Sequence, residues 1–468
     1  MSSAAPPLPA GAAATVSRRD ALLVWCRVAA LSFGGPAGQI AVMQRILVDE
    51  KRWVSQQRFL HALNYCMLLP GPEAQQLAIY LAWLLHGTWT GILAGTLFVL
   101  PGFVSILALS VVYATWQGST LVAALFWGLK PAVLAVVVEA LLRVGRRALH
   151  GAAHRWIAAL AFGALFFLDL PFPLVLAAAA LAGWLLGRSG VAGFGRGAPE
   201  PAPAGGDRDG EAADRAVDAA ARDHGTAGRR PSLARSLRVV AVWLLLWWLP
   251  VGALAMALGR EHVLVREGVF FGKAAVVTFG GAYSVLAYVA QRAVEDFRWL
   301  TANEMLDGLG MAETTPGPLI QVVQFVAFLG AWREPAPFAP LVAGVLGSLL
   351  TTWVTFVPSF LFIFLGAPYV EWLRERRPLG DALSAITAAV VGVILNLAVW
   401  FALHTLFGEV RELRWPVGRL LVPVPATLDV GALVVAMAAS WALLRMRWGM
   451  LPTLFGAMAA GAIWYLVR

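Results

Sequence analysis

The chain has 468 residues, of which 59% are hydrophobic and 13% are charged. A soluble globular protein carries roughly 45–50% apolar and about 25% charged residues, so this chain lacks the polar surface that a soluble protein of its size needs. The composition therefore excludes a cytosolic enzyme and a disordered chain, and it indicates a polytopic membrane protein.

The net charge of +9 does not indicate a nucleic-acid-binding protein, because the basic residues are scattered through short gaps between apolar segments. Such gaps are where the charges that orient a membrane protein lie. Residues 1–17 contain no Lys or Arg and no cleavable apolar core, so we predict no signal peptide. Cys26 and Cys66 each lie in an apolar stretch and are interpreted as core residues rather than as a disulfide or a metal pair.

Thirteen segments are long and apolar enough to be spanning helices, for which about 20 mostly apolar residues are needed. We therefore predict an all-α polytopic membrane protein with about 13 transmembrane helices, within a range of 10 to 14. The predicted spans are 21–47, 59–86, 89–113, 119–142, 154–170, 172–187, 237–257, 267–291, 305–332, 337–366, 381–405, 426–444 and 448–467.

Lys and Arg residues in the gaps predict the orientation. With the N-terminus inside, 22 of them lie in inside gaps, 10 in outside gaps and 4 within spans. Nine of the inside residues belong to the long gap at 188–238, and without them the count is 13 to 10. This bias predicts a cytoplasmic N-terminus.

Residues 190–232 are rich in Gly, Ala, Pro, Arg and Asp and contain almost no large apolar side chain. Such a segment cannot bury enough surface to fold, so we interpret it as a flexible linker. The predicted organisation is a disordered cytoplasmic tail at 1–19, membrane domains at 20–189 and 233–468, and this cytoplasmic linker between them.

The second half of the chain repeats the first at a separation of 246 positions. Ser32-Phe33-Gly34-Gly35 recurs as Thr278-Phe279-Gly280-Gly281, and Pro70-Gly71-Pro72 recurs as Pro316-Gly317-Pro318. Between positions 27 and 75, 14 of 49 pairs are identical, which apolar bias alone does not explain. We call 32–35 and 278–281 the glycine breaks, and 70–72 and 316–318 the proline breaks.

Seven predicted spans separate the starts of the two copies, and an odd number makes the copies inverted through the membrane. Inverted repeats are typical of secondary transporters, whose substrate sites lie at the repeat interface. If the segment with the proline break is instead re-entrant, the parity changes and the copies become parallel.

The breaks lie inside apolar segments, where proline removes a backbone donor and glycine releases the backbone from helical geometry. A half-helix that begins at Pro72 or Pro318 presents free N–H groups and a positive dipole end, which bind anions without a charged side chain. A simple packing kink is the alternative, and the duplication favours a site. The predicted substrate-binding residues are Gly34, Gly35, Gly71, Gln75, Gly280, Gly281, Gly317 and Gln321, beside helix breaks at Pro36, Pro70, Pro72, Pro316 and Pro318.

Two cations within spans, Arg27 and Lys273, occupy the same repeat position. Charges at membrane depth usually mark a pathway, a partner or an interface anchor, and a symmetric pair suits a dianion. We add both to the predicted binding residues. The alternative is that each side chain snorkels to the headgroups along its long stem.

Four further ionisable residues are candidates for coupling. Lys130 and Glu139 could pair or take part in a proton step, while Glu73 follows Pro72 and Glu313 precedes Pro316. Capping or packing is the alternative role for the two acids beside the proline breaks. Asp307 and His61, which share a repeat position, rank below them.

No catalytic signature accompanies these features. The sequence contains no Walker motif, no metal-spaced His/Cys cluster and no nucleophile elbow, so we predict no catalytic residue, metal or cofactor. A carrier for a small anion fits the residues best. A membrane enzyme acting on a lipid-linked substrate and a non-transporting scaffold are the alternatives from other classes.

At these residues the sequence resembles the chromate transporter family in its long two-domain form. The resemblance covers both membrane halves, and Ala282 departs from it by standing where the first copy has Pro36. It rests on Phe33-Gly34-Gly35-Pro36, Trp53, Leu69-Pro70-Gly71-Pro72, Gly87, Gly91, Leu100-Pro101-Gly102, Thr278-Phe279-Gly280-Gly281, Trp299 and Thr315-Pro316-Gly317-Pro318.

The resemblance implies an inner-membrane protein that exports chromate, a tetrahedral dianion close to sulfate, using the membrane potential or a proton gradient instead of ATP. We therefore expect a secondary transporter for chromate that works by alternating access about the repeat interface, with sulfate as a competitor. A carrier of sulfate or another oxyanion is the nearest alternative. The direction, the coupling ion and the oligomeric state, with a homodimer among the options, stay open.

Overall fold

The structure is a computed structural model, and it describes residues 18–33, 35–116, 118–189, 191, 233–279, 281–367, 377–416 and 418–467. Two predicted site residues, Gly34 and Gly280, lie outside the described residues, as do the predicted tail up to residue 17 and nearly all of the predicted linker.

The described chain is almost entirely helical. In the first half the helices are α1 (Arg18–Leu31), α2 (Gly35–Gln44), α3 (Gln56–Met67), α4 (Glu73–His86), α5 (Thr88–Trp116), α6 (Thr120–Ala148), α7 (Ala152–Phe166) and α8 (Phe172–Arg188). They are followed by α9 (Leu233–Leu258), α10 (Val263–Val276), α11 (Ala282–Gln291), α12 (Ala302–Thr314), α13 (Val322–Arg333), α14 (Pro340–Gly366), α15 (Arg377–Leu406), α16 (Val430–Leu444) and α17 (Met450–Val467).

Short irregular elements complete the two copies. The π-helical turns Arg45–Glu50 and Arg292–Asp296 extend α2 and α11 at matching repeat positions, and a 3₁₀ turn, Leu319–Gln321, precedes α13. An antiparallel hairpin of β1 (Val410–Trp415) and β2 (Gly418–Pro423) lies between α15 and α16.

The helices α1–α8 correspond in order to α10–α17, and α9 is an additional helix between the two sets. Both copies are interrupted at the glycine and proline breaks, as the sequence predicts. The fold class is therefore confirmed: the chain is an all-α membrane protein of two homologous halves whose helices are broken at these motifs.

In the second half, each interrupted helix reverses its direction at the break. The rings of Phe270 on α10 and Tyr288 on α11 lie 5.4 Å apart, whereas a straight helix would separate them by about 27 Å. Arg333 at the end of α13 donates to Glu304 Oε1 at the start of α12 over 2.5 Å. The pairs α10–α11 and α12–α13 are therefore helical hairpins.

The first half has the same hairpins. Arg27 on α1 forms an ion pair with Glu50 beyond α2 at 2.6 Å, and the rings of Tyr65 on α3 and Tyr80 on α4 are 5.5 Å apart. Each hairpin enters and leaves on one side of the molecule. This corrects the prediction of single spanning helices at 21–47, 59–86, 267–291 and 305–332.

The two halves are nevertheless inverted. A Cβ on Gly91 of α5 would meet Phe364 of α14 at 3.3 Å, and one on Gly95 would meet Phe360 at 2.7 Å. These repeat-equivalent helices therefore run antiparallel. Because both breaks of the first half are re-entrant, two predicted crossings disappear together, and the odd number of crossings between the copies is preserved.

Within the described residues, five helices are long and apolar enough to cross a membrane: α5, α6, α9, α14 and residues 380–406 of α15. Four shorter apolar helices, α7, α8, α16 and α17, pack along them. The pair α7–α8 lies against α15 of the other half, and α16–α17 lies against α6. The halves are therefore intertwined, with close backbone contacts at glycines such as Gly128 and Gly392.

Most of the buried apolar side chains form one cluster, which contains the second-half hairpins together with α6, α9 and α15. A second cluster joins the first-half hairpins to α5 and to the end of α14 through Phe360 and Phe364. Buried Arg419 fastens the β-hairpin to its surroundings through ion pairs with Asp169 at 3.1 Å and Glu295 at 2.5 Å.

Candidate functional site

The tips of the four hairpins meet, and they do so reciprocally. The Gly71 N–H of the first proline break donates to the Thr278 carbonyl at 2.7 Å, and the Gly317 N–H of the second donates to the Ser32 carbonyl at 2.9 Å. Both donors and both acceptors are 246 positions apart, so the two bonds are related by the repeat. We call this meeting of the four breaks the crossing.

Each proline break requires the glycine at its centre, both for the backbone conformation there and because a Cβ atom has no room. Gly71 has φ +122° and Gly317 has φ +101°, a region that other residues rarely occupy. A Cβ on Gly317 would lie 2.8 Å from Cα of Gly102 on α5. The predicted breaks at Pro70, Pro72, Pro316 and Pro318 therefore create the tips at which the backbones of the two halves touch.

Helices that begin at the crossing lack the side-chain caps found on the helices that begin at the base of the hairpins. Pro72, Gly281 and Pro318 precede α4, α11 and the 3₁₀ turn without a capping hydrogen bond from their own side chains. By contrast, Ser55 caps α3 and Thr301 caps α12. Uncapped N–H groups and positive helix ends are features with which helices bind anions.

The predicted glutamines lie at the crossing, but their amide N–H groups already have protein partners. Gln75 Nε2 donates to the Gly95 carbonyl at 3.4 Å. Gln321 Nε2 donates to Gln324 Oε1 at 2.6 Å and to Thr352 Oγ1 at 3.1 Å. These side chains therefore tie the hairpin tips to α5 and α14.

The predicted cations lie on exposed faces of the first helix of their hairpins. Arg27 is engaged by Glu50 at 2.6 Å and its side chain is 48% exposed, while Lys273 is also exposed. In contrast, the break residues Ser32 and Thr278 are buried. These positions agree with the snorkelling alternative and do not bring Arg27 and Lys273 into the buried contacts of the crossing.

Two predicted acids from different halves approach the first turn of α11. Oε1 of Glu73 lies 3.8 Å from the point that a Cβ on Gly281 would occupy. Glu313 Oε1 accepts a hydrogen bond from the Tyr283 hydroxyl at 2.6 Å. The two carboxyl groups thus approach α11 at different residues, and they do not share a repeat position.

Lys130 and Glu139 do not pair with each other. Glu139 pairs with Arg143 one turn further along α6, whereas Lys130 Nζ lies 3.2 Å from Oδ1 of Asp307 on α12. The Tyr113 hydroxyl donates to Oδ2 of the same carboxylate at 2.8 Å. Asp307, which the sequence ranks low, is therefore the partner of Lys130 and links the two halves.

Comparison with known proteins identifies the family. Residues 19–184 and 267–463 match the family model described as chromate transporter. The chain belongs to the chromate transporter family. It is 31% identical over 370 residues to the chromate transport protein of Pseudomonas aeruginosa, covering 78% of this chain and 76% of that protein.

A second relative is the chromate transport protein of Cupriavidus metallidurans, which is 26% identical over 391 residues, covering 83% of this chain and 84% of that protein. No solved structure is significantly similar to the chain. The two matched regions of the chain contain all four breaks, and they leave out the whole of α9.

Several polar residues at or near the crossing were not predicted. Gln39 Nε2 donates to the Gly317 carbonyl at 2.5 Å, and Gln324 Nε2 donates to the Phe103 carbonyl at 3.0 Å. Tyr283, the partner of Glu313, was also missed. Each is a polar residue within an apolar segment, and that signal could have drawn attention to them.

The described residues contain no group of three or more His, Cys, Asp or Glu side chains placed to hold a metal ion.

Proposed function

We propose that the protein transports chromate across the membrane and that the anion binds at the crossing. The observation that carries this proposal is the reciprocal contact of four helix breaks, three of which are followed by a helical element that begins without a side-chain cap. A dianion there receives backbone N–H groups and positive helix ends from both halves. The names of the two relatives support chromate as the substrate.

Transport proceeds by alternating access, in the direction of export. The first-half hairpins open to one side and the second-half hairpins to the other, so rocking of the halves about the crossing exposes the anion to each side in turn. Movement of a dianion responds to the membrane potential, and protonation of Glu73 or Glu313 near the site couples it to a proton gradient.

The protein lies in the bacterial inner membrane with its N-terminus in the cytoplasm. Because the hairpins are re-entrant, residues 51–58 lie on the N-terminal side of the membrane and residues 292–298 lie on the opposite side. The N-terminal side then carries 23 Lys and Arg residues and the other side 9, or 14 and 9 without the gap at 188–238. This larger bias supports the cytoplasmic orientation.

A carrier for sulfate or another oxyanion is the second candidate. The donors that the described residues offer at the crossing are mainly backbone N–H groups, which bind tetrahedral dianions of similar size alike. Competition between sulfate and chromate is therefore part of the proposal.

The test is the chromium content of a chromate-sensitive host after chromate exposure, with and without the protein, at low and high sulfate. Export lowers cell-associated chromium below that of the vector control. A rise that sulfate suppresses would instead identify an importer that accepts chromate as a sulfate mimic. An unchanged content, with membrane insertion of the protein verified, would remove chromate as the substrate.

A further inference from the structure

Four hydroxyl side chains form a file along one face of α14. They follow one another at intervals of three, four and four residues, which places them on one side of the helix. All are buried, with exposed fractions of 0%, 0%, 3% and 1% in chain order. The members of this hydroxyl file are Ser348, Thr351, Thr355 and Ser359.

The hydroxyl file differs from most of the other buried serines and threonines that the structure describes. Buried hydroxyls in helices usually donate to the carbonyl four residues earlier, as Ser110 does to Ile106 at 2.6 Å and Thr278 does to Ala274 at 2.8 Å. None of the four hydroxyl groups of the file forms a hydrogen bond with a described residue. Each therefore keeps its capacity both to donate and to accept.

The inner end of the file lies at the crossing. Oγ of Ser359 is 3.3 Å from the point that a Cβ on Gly71 would occupy. Gly71 forms the tip of the first proline break, two residues before Glu73. The file thus ends at the break that leads into Glu73, whose carboxyl group lies near Gly281.

The outer end of the file lies beside a second carboxyl group, that of Glu267 on α10. A Cβ on Gly347, the neighbour of Ser348, would lie 3.0 Å from Oε2 of Glu267, and one on Gly330 would lie 2.5 Å from Oε1. Glu267 is fully buried, and neither of its oxygens has a hydrogen-bond partner among the described residues. Two glycines of α13 and α14 thus leave space for this carboxyl group.

Few charges face Glu267. The nearest that act on it belong to Arg266 on its own helix and Glu334 after α13. The helix α14 contains no charged residue, and the two arginines of α9 lie near the opposite end of that helix. On α13 the single charged residue, Arg333, is bonded to Glu304. An unpaired carboxylate is costly at membrane depth, so this site favours binding of a proton.

We propose that Glu267 and the hydroxyl file form a proton path from the outer end of α10 to the crossing. This inference rests on the proposed function, since it supplies the coupling proton for chromate transport. Neighbouring hydroxyls at these spacings are roughly 5–6 Å apart, a gap that one water molecule bridges with two hydrogen bonds of about 2.8 Å. A hydronium ion from the outer solution protonates the Glu267 carboxylate and leaves a water molecule. Each hydroxyl oxygen then accepts a proton and releases its own to the next oxygen, so that every hydroxyl ends unchanged and a proton is released at the crossing.

The path carries protons and not chromate, because its hydroxyl groups are buried against neighbouring helices. It belongs to one half alone. Ala21 stands at the repeat position of Glu267, and the α5 residues that correspond to the file are Gly91, Ala94, Phe98 and Gly102.

The experiment uses the full chain in proteoliposomes loaded with pyranine, with chromate added under an imposed pH gradient. Chromate-dependent proton flux falls by roughly tenfold or more in Glu267→Gln and in Thr355→Val, because each removes a proton-transfer group while nearly preserving shape. Thr355→Ser restores the flux because it restores the hydroxyl. Ser110→Ala, which removes a hydroxyl outside the file, is the matched control and retains the flux.

Two outcomes would overturn the proton path: full proton flux in monodisperse Glu267→Gln and Thr355→Val proteins, or chromate transport by the wild type without accompanying proton flux. In the first case the whole proposed function stands; in the second, chromate transport stands and only its coupling to protons is refuted. Absence of chromate transport by well-inserted wild-type protein would instead refute the proposed function.

Discussion

The two halves of the molecule share one backbone plan but carry different polar side chains. At the crossing, each half donates one backbone N–H group to the other over almost equal distances. In contrast, Glu73 and Lys130 of the first half correspond to Leu319 and Thr387, and Glu267 corresponds to Ala21. The repeat thus preserves the backbone contacts of the crossing, whereas the charged side chains around it differ between the halves.

The largest effect is expected from Gly317→Ala, which should abolish chromate transport. A non-glycine residue in the left-handed region costs about 1–2 kcal/mol, and the new Cβ would also meet the Gly102 backbone at 2.8 Å. Chromate uptake into proteoliposomes measures the effect. Gly252→Ala on α9, where a Cβ meets nothing within 4 Å, should retain transport. Unchanged transport by Gly317→Ala would show that the symmetric crossing is not the pathway.

The equivalent substitution in the first half, Gly71→Ala, should impair transport less. Its Cβ would meet side-chain atoms, Gln76 Nε2 at 2.7 Å and Ser359 Oγ at 3.3 Å, which can move more easily than backbone. Side-by-side chromate uptake by the two alanine variants sharpens the comparison. If Gly71→Ala loses as much chromate uptake as Gly317→Ala, or more, then the difference between side-chain and backbone neighbours does not govern the effect of the two substitutions.

A stability effect is expected at the ion pair between the halves. Lys130→Ala leaves the Asp307 carboxylate, whose side chain is 6% exposed, without its cation, and such a change destabilises a protein by about 3–5 kcal/mol. Thermal unfolding in detergent measures the loss. The double variant Lys130→Ala with Asp307→Asn should recover much of the stability, and failure to do so would argue against the pairing.

The smallest effect is expected from Arg27→Gln and Lys273→Gln. Both side chains are exposed, and an exposed ion pair such as Arg27–Glu50 contributes about 0–1 kcal/mol. Each variant should therefore keep chromate uptake within about twofold of wild type. A large loss of chromate uptake in both variants would instead support the symmetric cation pair as part of the anion site.

The positions of the breaks could be predicted from the sequence, but the reversal of the chain at each break could not. A helix that crosses the bilayer and a hairpin of two half-helices have the same apolar composition, so hydropathy does not distinguish them. The direction after Pro72 depends instead on contacts such as Tyr65 with Tyr80. The predicted inversion survived because two hairpins in the first half remove two crossings.

The partners of the buried charged groups could not be predicted from the sequence either, because they depend on tertiary contacts. Lys130 and Asp307 are separated by the whole predicted linker and five helices, whereas Glu139 lies on the same helix as Lys130 and looked like the nearer partner. Likewise, Glu73 approaches Gly281 only because the hairpin tips of opposite halves meet.

By itself, the sequence determined that this is a helical membrane protein of two related halves, with helix breaks at glycine and proline motifs that recur 246 positions apart. These properties follow from local chemistry, since lipid demands apolar helices and proline and glycine interrupt them. Only the tertiary structure decided that the breaks are hairpin tips that touch across the halves, which cations stay on the surface and which hydroxyls have no partner among the described residues. Those features depend on which segments far apart in the chain pack together, because that packing determines which groups are buried and which form hydrogen bonds.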